Sequence, residues 1–200
     1  MIAVKGRQTI LGAGGAIGTP LAKELRKYTD KIRLVSRHPQ PVDASDELFP
    51  ADLSVATQVN EAVKDSDVVY LTVGFKYSRK VWRDRWPRLM RAVINACMAH
   101  QAKLVFFDNV YMYDPGHLGH MSETTPVGPT SQKGRTRAVV AQMLMDHVEK
   151  GNLTALIARS ADIYGPRNSM LVEMVYKRLA QRKRALWIAN IDKTYTPTLT

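Results

Sequence analysis

Cysteine is nearly absent from this 200-residue chain: Cys97 is the only one, so no disulfide can form within it. A lone thiol fits a reducing compartment, and the expected location is the cytoplasm. No apolar run is long enough to span a bilayer. The first ten residues carry charges and lack the apolar stretch of a secretory signal. No internal repeat or low-complexity tract appears. No Gly-x-Ser-x-Gly turn is present, which removes the usual strand-to-helix serine nucleophile. The five histidines show no metal-ligand spacing with Cys97 or with carboxylates, and only His117 and His120 lie close together. No metal is therefore expected.

What is present is globular: 45% of residues are hydrophobic and 24% charged, enough for a sizeable core. Positive charge is in surplus, with a formal net charge of +11. The densest run is Lys177-Arg178 followed by Arg182-Lys183-Arg184. It lacks interleaved aromatics and any recognition-helix pattern. A solvated basic surface that attracts a small anionic ligand explains it more simply than nucleic-acid binding.

The hydrophobic pattern alternates between short apolar runs and amphipathic segments. Strands are expected at 9–11, 31–36, 67–73, 103–107 and 154–158. Helices are expected at 20–28, 55–64, 82–100, 134–150 and 169–182. Residues 39–50 read as a loop. Residues 113–132 read as a long loop rich in Gly, Pro, Ser and Thr, a length that is often functional. Strand–helix alternation predicts an α/β fold with a doubly wound parallel sheet and a ligand at the carboxyl ends of its strands.

The first strand runs into Gly12-Ala13-Gly14-Gly15-Ala16-Ile17-Gly18, and a helix follows. Gly12 allows a tight turn, Gly15 lets backbone approach a pyrophosphate, and Gly18 lets the helix pack close to the strand. Together with Gly14, Ala16 and Ile17, they would face the phosphates with free N–H groups and the positive end of the helix dipole. The second strand ends in Ser36-Arg37-His38, where an acidic residue would read the 2′-hydroxyl of NAD. Arg37 can instead grip a 2′-phosphate in a bidentate pair, with Ser36 adding a hydrogen bond. The expected cofactor is therefore NADP, with NAD the alternative.

Further along, five segments follow in order: Asp52-Leu53, Leu71-Thr72-Val73-Gly74, Ser122-Glu123-x-Thr125-Pro126, a helix from Lys133, and Arg159-Ser160-Ala161-Asp162-Ile163-Tyr164-Gly165-Pro166. With the glycine loop, this chain resembles the extended short-chain dehydrogenases/reductases, the NAD-dependent epimerase/dehydratase family. The resemblance implies a Rossmann-like fold in which Asp52 and Leu53 flank the adenine. Thr72, Val73 and Gly74 would lie under the cofactor, and Ser160 and Ala161 beside it. It also implies a Ser or Thr, a Tyr, and a Lys four residues after the Tyr. This chain has no Tyr-x-x-x-Lys. Aligned on the family, Asn109 replaces the Ser or Thr, Lys133 the Tyr and Arg137 the Lys. Arg137 could still hold the nicotinamide ribose and Asn109 could bond a substrate oxygen. Lys133 could move a proton if like charge and burial made its ammonium readier to release one. Tyr111 and Tyr113 are spare phenols near the same strand end, either of which could serve as the acid, though Tyr113 reads more readily as a packing residue.

The resemblance divides the chain into a dinucleotide-binding domain over 1–168 and the start of a substrate-binding region over 169–200, with most of the substrate domain missing. The implied activity is hydride transfer on a sugar nucleotide or a small carbonyl or alcohol. A non-catalytic NADP sensor is the alternative, and a basic nucleic-acid module is a more distant one. Expected partners are a small-molecule substrate and, through helices 82–100 and 134–150, a second copy of the chain; no membrane is expected.

Overall fold

The computed structural model describes residues 6–164, 172–186 and 198–199. Six parallel strands form one sheet in the order β3-β2-β1-β4-β5-β6. They are β1 (Gln8–Leu11), β2 (Ile32–Ser36), β3 (Glu47–Pro50), β4 (Val68–Leu71), β5 (Lys103–Asn109) and β6 (Ala155–Ser160). Helices α1 (Gly18–Leu25), α2 (Ala56–Val63), α3 (Arg79–Ala99) and α4 (Gln132–Glu149) cross between them. Chain order reverses between β1 and β4, and a crevice opens at such a switch point.

The central strands are apolar because both sheet faces are covered. Leu11, Leu34, Val35, Leu71, Leu104 and Phe106 are fully buried. On one face α3 and α4 pack together through Trp86, Met90, Val93, Val140 and Leu144. On the other, α1 buries Ala22 and Leu25 against Ile10, Ile32 and Leu34.

The structure corrects the reading in several places. Residues 39–50 are not all loop, since β3 forms an edge strand over Glu47–Pro50. Its short sequence shows no alternation. It is held by register with β2 and by the buried Arg33, whose Nε donates to Glu47 at 2.9 Å and whose Nη1 donates to the Ala62 and Lys64 carbonyls. Pro50 is tolerable at an edge because no further strand needs its missing N–H. Helix α1 starts at Gly18 and ends at Leu25, and α3 starts three residues before Trp82. The strand expected at 67–73 is limited to Val68–Leu71. The helix expected at 169–182 begins outside the described residues. Its described part is a π-helical turn, Val172–Tyr176, followed by α5 (Lys177–Ala180). Two short strands, β7 (Ile163–Tyr164) and β8 (Thr198–Leu199), pair in parallel across the sequence boundary expected at 168. No helix among the described residues is long and apolar enough to cross a membrane.

Candidate functional site

One cleft of about 850 Å³ lies over the carboxyl ends of β1, β2, β4, β5 and β6. One end of it is the turn after β1. Gly12 has φ +99°, and a Cβ there would stand 2.9 Å from the Val73 nitrogen and 3.0 Å from the Thr72 carbonyl carbon. Those neighbours are backbone and cannot move aside. A Cβ on Gly18 would meet the Gly12 carbonyl oxygen at 2.8 Å. The turn is thus clamped between β4 and α1, as the spacing predicts. Gly14 has φ +89° with open space beyond it. No side chain caps the start of α1 at Ile17; the Thr19 N–H donates to the Gly15 carbonyl and Pro20 has no N–H, so the Gly18 N–H is the one in this first turn left open to another acceptor. Gly12, Gly15, Ala16 and Ile17 line the cleft, and Gly14 and Gly18 do not.

Ser36, Arg37, Asp52 and Leu53 line the adjoining wall, while the exposed His38 does not. Asp52 accepts hydrogen bonds from Ser54, which lower its pKa below the ordinary carboxylate value, so it stays ionised. Thr72, Val73 and Gly74 form the floor, and the Thr72 hydroxyl donates to the Leu11 carbonyl at 3.1 Å. Ser160 and Ala161 close the far side.

The other end of the cleft departs from the sequence reading. Asn109 lines it, and its side-chain oxygen accepts the Tyr111 N–H at 3.0 Å. Arg137 reaches it too, but its guanidinium is spent on Asp108, through Nε and a terminal nitrogen. The Arg137 side chain is 3% exposed and that of Asp108 0%. The guanidinium also lies 4.2 Å from the Trp86 ring centre and 4.9 Å from that of Phe106. Arg159 Nε stands 3.8 Å from the second Asp108 oxygen, so one carboxylate serves two cations. Burial pushes the Asp108 pKa up, against the opposing pull of Arg137 and Arg159.

Lys133 does not line the cleft; its ammonium sits over the Tyr77 ring, 2.7 Å from the centre. Tyr113 is buried away from the cleft, where its hydroxyl donates to the Ser122 carbonyl and accepts from Arg159 Nη1 at 3.1 Å. It is a packing residue. Two phenols do reach the cleft, Tyr77 and Tyr111, and Tyr111 is stacked on Trp82 and donates to Asp162 at 3.2 Å. Burial and the Asp162 carboxylate push its pKa well above the usual value, so it keeps its proton.

Sequence reasoning missed Asp108, Trp82, Trp86 and Tyr77. A signal existed for Asp108, a lone carboxylate directly after the apolar run Leu104-Val105-Phe106-Phe107. Buried carboxylates demand partners. Gly134 was also informative, since a Cβ there would collide with the Tyr111 carbonyl and stand 2.7 Å from Pro129 Cβ. The absent side chain seats the first turn of α4 against the end of β5. Among the described residues, no three His, Cys, Asp or Glu side chains gather to hold a metal.

The sequence matches the description "NAD dependent epimerase/dehydratase family" over residues 9–194. The chain belongs to this family. No curated protein matches it. Among solved structures, the family fold is shared with the Bordetella bronchiseptica enzyme WbmH in complex with NAD+, at 20% identity and a TM-score of 0.74, over 90% of this chain and 64% of that one. It is shared with Thermus thermophilus UDP-glucose 4-epimerase in complex with NAD, at 19% identity and 0.74, over 88% and 63%. DesIV, the dTDP-glucose 4,6-dehydratase of Streptomyces venezuelae with NAD and TYD bound, aligns at 14% identity and 0.76, over 90% and 63%. This family member therefore spans a little under two thirds of the length of these relatives.

Proposed function

We propose that this chain is the dinucleotide-binding part of an NADP-linked epimerase/dehydratase-type protein, whose reaction is hydride transfer on a sugar nucleotide or a small carbonyl or alcohol. The observation that carries the reading is the turn at Gly12, which no side chain could occupy and which opens onto an uncapped helix start. Gly15, Ala16 and Ile17 would hold the pyrophosphate, Arg37 with Ser36 the 2′-phosphate, and Thr72 to Gly74 the underside of the cofactor. The dinucleotide, when bound, supplies the hydride chemistry. NADP is favoured over NAD by Arg37 standing where a carboxylate would accept the 2′-hydroxyl. The lone, buried Cys97 suits the cytoplasm.

At the reaction end, Asn109 would orient a substrate oxygen, and Tyr111 would offer it a hydrogen bond from a hydroxyl that stays protonated. Arg137 would act through Asp108 as a positioning residue. Lys133, beside Tyr77, would be the remaining group able to move a proton. A second reading has its own support: Arg137 is enclosed by Trp86, Phe106 and Asp108. A cation so placed suits a protein that binds the cofactor without turning it over.

Calorimetric titration with NADPH and NADH tests the binding. Micromolar NADPH affinity with weaker NADH affinity is expected. Absence of binding at millimolar cofactor would overturn both readings. Tighter NADH binding would overturn the NADP preference alone. Oxidation of bound NADPH on addition of a sugar nucleotide or a small carbonyl compound then separates enzyme from sensor.

A further inference from the structure

Several arginines of this chain are paired with carboxylates. Arg26 pairs with Asp46, Arg33 with Glu47, Arg83 with Asp84, and Arg137 with Asp108. Two guanidiniums in the cleft are treated differently. Among the described residues, neither Arg37 nor Arg85 stands within ion-pair distance of a carboxylate, and both line the cleft.

Arg85 comes from an element that the glycine loop does not touch. On α3, Trp82, Arg85 and Trp86 lie at spacings of three and four, which puts them on neighbouring positions of the helix surface. The two tryptophans are 7% and 3% exposed and fix that turn against the core. Arg85 stays exposed, and its guanidinium carbon lies 5.9 Å from the ring centre of Phe75, on the loop that follows Thr72-Val73-Gly74. Arg37 approaches from the end of β2. Arg37, Asp52 and Arg85 line the same cleft, and both guanidiniums favour the ionised form of that carboxylate. Asp52 already has its hydrogen bonds from Ser54 and is not a fork-to-fork partner for either arginine.

We propose that Arg85 is a second phosphate-binding arm of the cleft, closing from α3 opposite Arg37 on a phosphate of the adenine dinucleotide. The proposal rests on the nucleotide-binding reading above and adds to it a specificity-determining residue outside the glycine loop and the second strand. A planar fork suits this task better than an ammonium, because it gives a phosphate two parallel hydrogen bonds. Resting over Phe75 keeps the head group near its working position at little cost in solvation.

Two phosphates of the dinucleotide could receive this arm, and the variants tell them apart. Binding of NADP+ and NAD+ to the wild-type chain, Arg85→Ala and Arg85→Lys is measured by calorimetry, with Arg88→Ala as a surface control on the same helix. Arg85→Ala should weaken NADP+ by roughly ten- to a hundredfold, the loss of a charge-assisted hydrogen-bond pair. Arg85→Lys should fall between. Arg88→Ala should bind like the wild type. A loss confined to NADP+ assigns the arm to the 2′-phosphate; an equal loss for NAD+ assigns it to the pyrophosphate. If the wild type binds and Arg85→Ala binds equally well, the proposal is wrong while the nucleotide reading stands. If the wild type binds neither dinucleotide, both fall.

Discussion

Arg137 separates two accounts of the cleft, and its replacement by methionine tells them apart. If the guanidinium is chiefly the partner of Asp108, removing it strands a buried carboxylate. Breaking such a pair costs about 3–5 kcal/mol. Two features of the site place the expected cost near the low end. Arg159 remains 3.8 Å from the second Asp108 oxygen and keeps part of the compensation. A methionine side chain also refills the apolar space between Trp86 and Phe106, where the guanidinium lies 4.2 and 4.9 Å from the ring centres. A loss of about 3 kcal/mol is a large share of the ~5–15 kcal/mol that holds a domain together. With a urea slope of about 2–3 kcal/mol per molar, the unfolding midpoint should drop by about 1–1.5 M. Adding Asp108→Asn removes the stranded charge, and the double variant should regain about 1–2 kcal/mol. Urea unfolding followed by circular dichroism measures both, alongside NADPH affinity of the folded variants. A wild-type midpoint in Arg137→Met, together with lost NADPH affinity, would refute the ion-pair account and restore Arg137 as a ribose-holding residue.

Other consequences follow from single contacts. Gly12→Ala should lose about 2–5 kcal/mol of stability, because φ +99° and Val73 backbone 2.9 Å from the new Cβ combine strain with overpacking. Gly74→Ala, where a Cβ meets nothing within 4 Å, should keep its urea midpoint, so equal midpoints for the two variants would contradict the clamped turn. Cys97 is buried, and burial pushes its thiol up to about 12. Its alkylation at pH 8 should be slow in the native chain and fast in urea, and rapid native labelling would show that the α3 core opens. A homodimer through α3 and α4 would set the exposed Lys80, Arg88 and Arg91 of α3 against a second copy. Association measured by sedimentation should therefore strengthen as salt rises from 50 to 500 mM, on the screening scale of roughly 10 Å at 0.1 M. Weakening with salt would exclude that face as the contact.

The fold was legible wherever a segment carried its own periodicity. Five of the six strands of the main sheet and the four helices that cross it announce themselves because both sheet faces are covered and α3 and α4 bury continuous stripes. The edge strand Glu47-Leu48-Phe49-Pro50 does not, since it owes its conformation to Arg33 and Arg7, which reach Glu47 from elsewhere in the chain. The glycine loop was legible for a similar reason: its requirements are local, a positive φ at Gly12 and a close approach at Gly18. Lys133 was not. Its alignment with the tyrosine of the family fixes its position on α4, but the direction of its side chain depends on Tyr77, which arrives from the loop before α3.

The two ends of the cleft follow opposite electrostatic rules, and that contrast bears on what the protein can still do. At the reaction end the fold neutralises its cation. Arg137 is held by Asp108 and enclosed by aromatic rings, so a ligand reaching for it must compete with a carboxylate already in contact and with 4–5 Å ring packing. At the adenosine end it leaves Arg37 and Arg85 without carboxylate partners among the described residues. Uncompensated guanidiniums at the surface cost little, because water solvates them until a phosphate arrives. A compensated one in the interior cannot change partners without stranding Asp108. Arg137 can reach a ligand only through Asp108, while Tyr111, whose hydroxyl keeps its proton, is left able to offer a hydrogen bond.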